Sequence, residues 1–230
     1  MTENKPYQDA IELLKKLVAT PSFSTAEENT AAVIETFFQS KDIPFNRHLN
    51  NIWCMNKYFD VARPTLLLNS HHDTVKPNTQ YSIDPFSPVQ KDEKLFGLGS
   101  NDAGGCLVCL ITAFCHFYEI QDLKYNVIIA ATAEEEISGK NGIESILSLL
   151  PKIDVAIVGE PTLTNLAIAE KGLLVLDCIS TGKAGHAARE EGENAIYKAM
   201  QDISWFQSYR FSKISETLGP VKMSVTSVNT

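Results

Sequence analysis

Three short apolar runs constrain most strongly what this chain can fold into: residues 65–70 (TLLLNS), 125–132 (YNVIIAAT) and 154–159 (DVAIVG). None alternates apolar with polar residues. Each therefore reads as a strand covered on both faces, the pattern of a parallel sheet rather than of a sheet with one wet side. Apolar residues at helical spacing occupy residues 7–19 and 26–40, before the first run. Further helices at about 103–119 and 141–150 fall between the other runs. Thr25, followed three residues later by Glu28, has the form of a capping box at the start of the second helix. Strands alternating with helices give an α/β fold, a mostly parallel sheet flanked by helices. After Lys171-Gly172 the pattern changes to a strand at 173–180, a polar glycine turn, a helix near 193–209 and a strand at 221–228. Residues 1–170 thus read as one domain, and 171–230 as the start of a smaller α+β domain.

Composition narrows the partners. The chain has 230 residues, 44% hydrophobic and 21% charged, enough for one or two cores. A net charge of -8 argues against nucleic acid and anionic membranes, which are bound through clustered Lys and Arg, and favours a small molecule. No run approaches the roughly 20 apolar residues of a membrane span. The segment Met1-Thr2-Glu3-Asn4-Lys5-Pro6 lacks the basic and apolar regions of a secretion signal, so a cytoplasmic location is expected. Five cysteines, an odd number, argue against a closed disulfide framework. Cys106, Cys109 and Cys115 fall in a helix that is apolar nearly all round, where cysteine is expected to act as a small buried hydrophobe.

The chemistry follows from where polar residues fall. In open parallel sheets, ligands bind in the crevice outside the carboxyl ends of the strands. Each apolar run here ends in candidate ligands: Ser70-His71-His72-Asp73, Ala133-Glu134-Glu135-Glu136 and Gly159-Glu160-Pro161. Asp102 joins them between a glycine-rich turn, Leu98-Gly99-Ser100-Asn101, and an apolar helix, where both its oxygens can face a shared crevice. Taken singly, these motifs have ordinary readings. His-x-Asp is often a hydrogen-bonded pair, a Glu triplet a solvated face, Gly-Glu-Pro a turn, and Asp102 a helix cap. Their joint occurrence at equivalent sheet positions is what those readings leave unexplained. One His with several carboxylates suits zinc, cobalt or manganese in a catalytic site better than a thiolate structural site.

Five motifs in this order resemble the dinuclear-metal M20 peptidases and deacylases. They are Ser70-His71-His72-Asp73-Thr74-Val75, Gly97-Leu98-Gly99-Ser100-Asn101-Asp102-Ala103-Gly104-Gly105, Thr132-Ala133-Glu134-Glu135-Glu136, Val158-Gly159-Glu160-Pro161-Thr162, and Gly182-Lys183-Ala184-Gly185-His186-Ala187-Ala188. Within that family, Ala-Glu-Glu-Glu and Gly-Glu-Pro-Thr look most like the acetylornithine deacetylase branch. The resemblance implies two divalent metal ions, Zn2+ or Co2+. It places His71 and Glu160 on one metal, Glu136 on the other, and Asp102 bridging both. It makes Asp73 the residue that orients His71 through the second ring nitrogen, with His72 pointing elsewhere. Glu135 becomes the general base and His186 the group that stabilises the oxyanion.

The implied activity is removal of the acyl group from an N-acyl amino acid, N-acetyl-L-ornithine to L-ornithine in arginine biosynthesis. A succinyl-amino-acid deacylase, a dipeptidase or carboxypeptidase, and a non-catalytic product that binds metal or a partner stand as alternatives. The resemblance also implies a homodimer formed through the lid domain in a longer parent. The second half of the lid and the last metal-ligating His would fall after residue 230, so weak or no turnover is expected of this chain alone. No clear carboxylate-binding Arg is evident, with Arg189 and Lys183 the local candidates.

Overall fold

The run expected at 125–132 forms the middle of the sheet. In a computed structural model, which describes residues 5–186, 188–189 and 191–229, all seven residues of that strand are buried. The elements of the first part are α1 (Lys5–Val18), α2 (Glu28–Gln39), β1 (Asn46–His48), β2 (Asn51–Met55), β3 (Thr65–His71), β4 (Val89–Lys91), β5 (Lys94–Phe96), α3 (Cys106–Phe117), β6 (Asn126–Thr132), α4 (Ile143–Leu147) and β7 (Val155–Val158). One sheet has the order β1-β2-β6-β3-β7, while β4 and β5 form a separate hairpin. β3 pairs in parallel with β6 on one side and β7 on the other, so the three apolar runs lie side by side. β2 pairs antiparallel with both β6 and β1, which makes the whole sheet mixed around a parallel core.

Side-chain alternation along β6 explains its burial, because successive residues of a strand point to opposite faces. Val127, Ile129 and Ala131 enter the larger core with Leu13, Leu17, Ile34, Phe38, Leu107, Ile111 and Phe114 from α1, α2 and α3. Ile128 and Ala130 enter the other, with Trp53, Leu67, Ile146 and Leu150. Helix α3 turns Leu107, Val108, Ile111 and Phe114 to the core, the i, i+1, i+4, i+7 stripe of an amphipathic helix. Its opposite face is open. Cys109 is exposed and Cys106 half-buried, contrary to the expectation of a helix buried all round. Cys115 fits that expectation better: burial pushes its thiol up to about 11.

Two further expectations fail for a shared reason. The third run forms β7, but as an edge strand with Val155 60% exposed, so it is not covered on both faces. The second compact unit, Asn165–Thr230, contains α5 (Ala195–Ser208), where a helix was expected. It contains no strand at 173–180 or 221–228 among the described residues, and Leu173 is 88% exposed. A strand exists only where a neighbour completes its hydrogen-bond ladder, and an apolar run cannot report whether that neighbour is present. Helix α5 is started by Asn194, whose Oδ1 accepts the amides of Ile196 and Tyr197 at 2.8 and 3.4 Å. Among the described residues, no helix is long and apolar enough to cross a membrane.

Candidate metal centre

Register brings the polar strand ends together. His71 on β3 lies opposite Thr132 on β6, and Asn69 opposite Val158 on β7. The residues that follow, 133–136 and 159–160, therefore emerge on either side of His71 at the carboxyl edge of three adjacent parallel strands. The Ser100–Gly105 segment delivers Asp102 to the same edge, with non-helical dihedrals at Asp102 and Ala103 and a cis peptide bond between them. Gly99 enters that segment at φ 74°, and a Cβ there would meet Thr74 Cγ2 at 2.6 Å. Only glycine meets both demands without strain.

His71 is the hub. It is 1% exposed, and its Nδ1 faces the Asp73 carbonyl at 3.0 Å and the Asp73 carboxylate at 3.3 Å. Its Nε2 faces three carboxylates: Asp102 at 3.2 Å, Glu135 at 3.7 Å and Glu160 at 3.8 Å. One ligand atom each from His71, Asp102 and Glu136 also lie within 4.8 Å of one another. The surroundings are open on one side, with the Asp102 side chain 59% and that of Glu160 35% exposed.

The electrostatics of this arrangement call for a cation. Burial works to lower the His71 pKa, but the hydrogen bond and charge of Asp73, with Glu135 and Glu160, outweigh it and raise it to about 9. Burial, and then the nearby Asp102 carboxylate, hold Glu136 above its ordinary range. Burial likewise raises Glu160, with His71 opposing and Asp102, Glu135 and Glu136 adding to the shift. A neutral imidazole that donates from Nδ1 to Asp73 turns the lone pair of Nε2 toward the carboxylates. Only a proton or a metal ion relieves that repulsion. The donor set, one imidazole nitrogen and several carboxylate oxygens with an open side, fits a divalent cation such as zinc or cobalt.

Asp73 does more than orient the imidazole. Fully buried, it accepts the Ser24 hydroxyl at 2.8 Å and the amides of Glu135 and Glu136 at 3.0 and 3.1 Å. Burial opposes its charge, but His71, Ser24 and those two amides together hold its pKa below the ordinary carboxylate value. His72 turns away, with Nδ1 2.9 Å from the Thr30 hydroxyl and Nε2 2.9 Å from the Asn50 carbonyl. Burial lowers its pKa. His186 lies in the second unit, exposed, where its Nδ1 accepts the Ala188 amide at 3.1 Å.

The capping box expected at Thr25 and Glu28 does not form. Glu27 takes its place, fully buried, with Oε1 accepting the Thr25 amide at 2.7 Å. Sequence reading passed over this residue, although its spacing held a signal. Glu27 sits on the stripe that continues through Thr30, Ala31, Ile34 and Phe38, so a carboxylate occupies the core-facing side of an amphipathic helix.

Known proteins resemble this chain in sequence and fold. Residues 67–224 match the model of the peptidase family M20/M25/M40. Over 96% of its length the chain is 28% identical to a succinyl-diaminopimelate desuccinylase of Wolbachia pipientis subsp. Culex pipiens (strain wPip), covering 59% of that protein. Over 81% it is 32% identical to an acetylornithine deacetylase of Salmonella paratyphi B, covering 52%. The chain thus spans little more than half the length of these curated relatives. Among solved structures, an M20 family metallo-carboxypeptidase from Sulfolobus solfataricus superposes with a TM-score of 0.54 at 26% identity, over 69% of this chain and 37% of that one. A tripeptidase from Staphylococcus aureus subsp. aureus mu50 has the same fold, with a TM-score of 0.57 at 20% identity over 86% and 56% of the two chains. All five motifs fall inside the matched residues, and with the strand ends gathered around His71 they identify the chain as a member of the M20/M25/M40 peptidase family.

Proposed function

We propose that this chain carries the metal centre of an amide hydrolase that removes the acyl group from an N-acyl amino acid. The observation that carries this reading is the convergence of His71, Asp102, Glu135, Glu136 and Glu160 at the ends of three adjacent strands. In it, His71 and Glu160 would hold one divalent cation, Glu136 would hold a second, and Asp102 would serve both. Two such cations, when bound, would supply Lewis acidity to the amide carbonyl and to the attacking water. Glu135, close to His71 but not needed as a ligand, takes the proton of that water and delivers it to the leaving nitrogen as the C–N bond breaks. Asp73 keeps Glu135 and Glu136 aimed by accepting both their amides. His186 offers a ring nitrogen to the developing oxyanion. Residues 1–170 form the catalytic domain in this reading, and 171–230 part of a lid through which a longer parent dimerises. The boundary between the two compact units, at Thr164 and Asn165, lies close to that division.

N-acetyl-L-ornithine is the substrate we favour, because the acetylornithine deacetylase of Salmonella paratyphi B is 32% identical over the matched region. The desuccinylase relative makes an N-succinyl amino acid the first competitor. The test is release of free amine from N-acetyl-L-ornithine, an N-succinyl amino acid and a dipeptide by the Zn2+- or Co2+-loaded chain and its Glu135→Gln variant. Weak turnover, highest with the acetyl substrate and lost in Glu135→Gln while metal content persists, is the expected result. Metal binding with no turnover of any substrate would replace hydrolysis with a binding role. Loss of metal in Glu135→Gln would exchange the parts given to Glu135 and Glu136.

A further inference from the structure

The loop after β6 is held in an unusual way. Four successive amides, those of Ala133, Glu134, Glu135 and Glu136, each donate to a side-chain oxygen from elsewhere in the fold. The acceptors are Asn51 Oδ1 at 3.0 Å, Glu27 Oε1 at 3.2 Å, Asp73 Oδ1 at 3.0 Å and Asp73 Oδ2 at 3.1 Å. Glu134 itself lies at φ 54°, a left-handed conformation costly for a residue with a Cβ. Such a conformation persists only where the surroundings over-determine it. The Glu134 carboxylate is meanwhile occupied by Asn141, through its backbone amide at 3.2 Å and its side-chain amide at 2.9 Å.

Glu27 is the member of this set that reaches furthest through the fold. Besides the amides of Thr25 and Glu134, it accepts the Asn50 side-chain amide on Oε2 at 2.9 Å. The Asn50 carbonyl in turn bonds His72, whose other nitrogen meets Thr30 on α2. One buried carboxylate therefore ties the start of α2 to the turn between β1 and β2 and to the loop after β6. All its partners are donors, so it serves as an acceptor throughout.

We infer that Glu27 is a positioning residue for Glu135 and Glu136, acting through the reach of its side chain from α2 to the Glu134 amide rather than through its charge. The inference rests on the roles proposed above for Glu135 and Glu136. Without the bond to Glu134 the left-handed turn loses a restraint, and a displacement of about 1 Å at a catalytic group is enough to cost two orders of magnitude in rate.

The test compares Glu27→Gln, which keeps the reach and loses the charge, with Glu27→Asp, which keeps the charge and is one methylene shorter, and with Glu27→Ala. The whole 230-residue chain is used, and two properties are read: amide hydrogen exchange at residues 134–136 relative to Ile129 in β6, and Co2+ affinity. Glu27→Gln keeps one acceptor oxygen for the Thr25 and Glu134 amides while its amide nitrogen replaces the acceptor that faced Asn50, so it should stay closer to the unsubstituted chain in both than the other two variants. Glu27→Asp and Glu27→Ala should speed exchange selectively at 134–136 and weaken Co2+ binding roughly tenfold to a hundredfold, the range for residues that support metal ligands. If Glu27→Ala does not fold, the Gln and Asp pair decides. Asp behaving as the unsubstituted chain while Gln fails, or no selective change in any variant, would overturn the inference. So would loss of the fold in all three, which would make Glu27 a requirement of the fold rather than of the loop. If the unsubstituted chain takes up no Co2+, the proposed centre fails instead, and the exchange arm still decides whether Glu27 holds the loop.

Discussion

Strands β6 and β7 flank β3 on its two sides, both parallel to it and both short apolar runs, yet β6 is buried at every position and β7 at none. The difference extends to the loops that follow them. Residues 133–136 are pinned amide by amide to Asn51, Glu27 and Asp73, whereas Gly159 is held by its amide to the Asn69 carbonyl at 2.7 Å and by the Ser70 hydroxyl on its own carbonyl at 2.8 Å. One side of the candidate centre is therefore built into the core and the other lies at an edge. The lesson is that placement of a ligand and rigidity of a ligand are separate properties of the same sheet.

The contrast makes predictions that differ in size. The largest effect is expected for Ile129→Ala on β6, which empties part of the main core and should cost about 2–5 kcal/mol of stability in urea unfolding. A cost below 1 kcal/mol would mean that β6 is not the central element described here. Next comes Asp73→Ala, which orphans two loop amides and frees the His71 ring. Titration with Co2+ should show affinity reduced roughly tenfold to a hundredfold, and an unchanged affinity would show that the pinned loop needs no pinning.

A third prediction concerns pH. The His71 pKa is raised from 6.5 to about 9 in the metal-free chain, so its contribution to stability is complete below pH 6.5 and is lost as pH rises through about 9. A divalent cation competes with that proton. Affinity should therefore increase with pH across this window, and calorimetry at pH 7 in buffers of different ionisation heat should detect proton release on binding. Affinity independent of pH would remove His71 from the ligand set. The smallest effect is expected for Ile157→Ala on β7, within about 0.5 kcal/mol, because its side chain is already half in water. A loss as large as that at Ile129 would erase the distinction between the two strands.

Much of the candidate centre is legible because its residues sit at strand ends, where an apolar run gives way abruptly to His71, Glu135, Glu136 or Glu160. Periodicity located α1, α2, α3 and α5 for the same local reason, that a helix writes its own core face into its spacing. What local pattern could not supply was pairing. β7 and β6 look alike as sequence, and whether a run ends at the centre or the edge of a sheet is decided by other segments. The runs at 173–180 and 221–228 fail as strands on the same account. The antiparallel β1 and β2 were passed over because three and five residues carry too little period to read. Glu27 was hidden differently: a carboxylate at a helix start reads as a cap, and only its alignment with Ala31, Ile34 and Phe38 says that it points inward.

Cation uptake at equilibrium tests the central claim most directly, measured by dialysis against Zn2+ for the unsubstituted chain, His71→Ala and Asp102→Ala. The account predicts stoichiometric uptake by the unsubstituted chain, with binding weakened in His71→Ala and lost in Asp102→Ala, the residue proposed to serve both cations. Uptake that both substitutions leave unchanged, or no uptake by the unsubstituted chain, would contradict it.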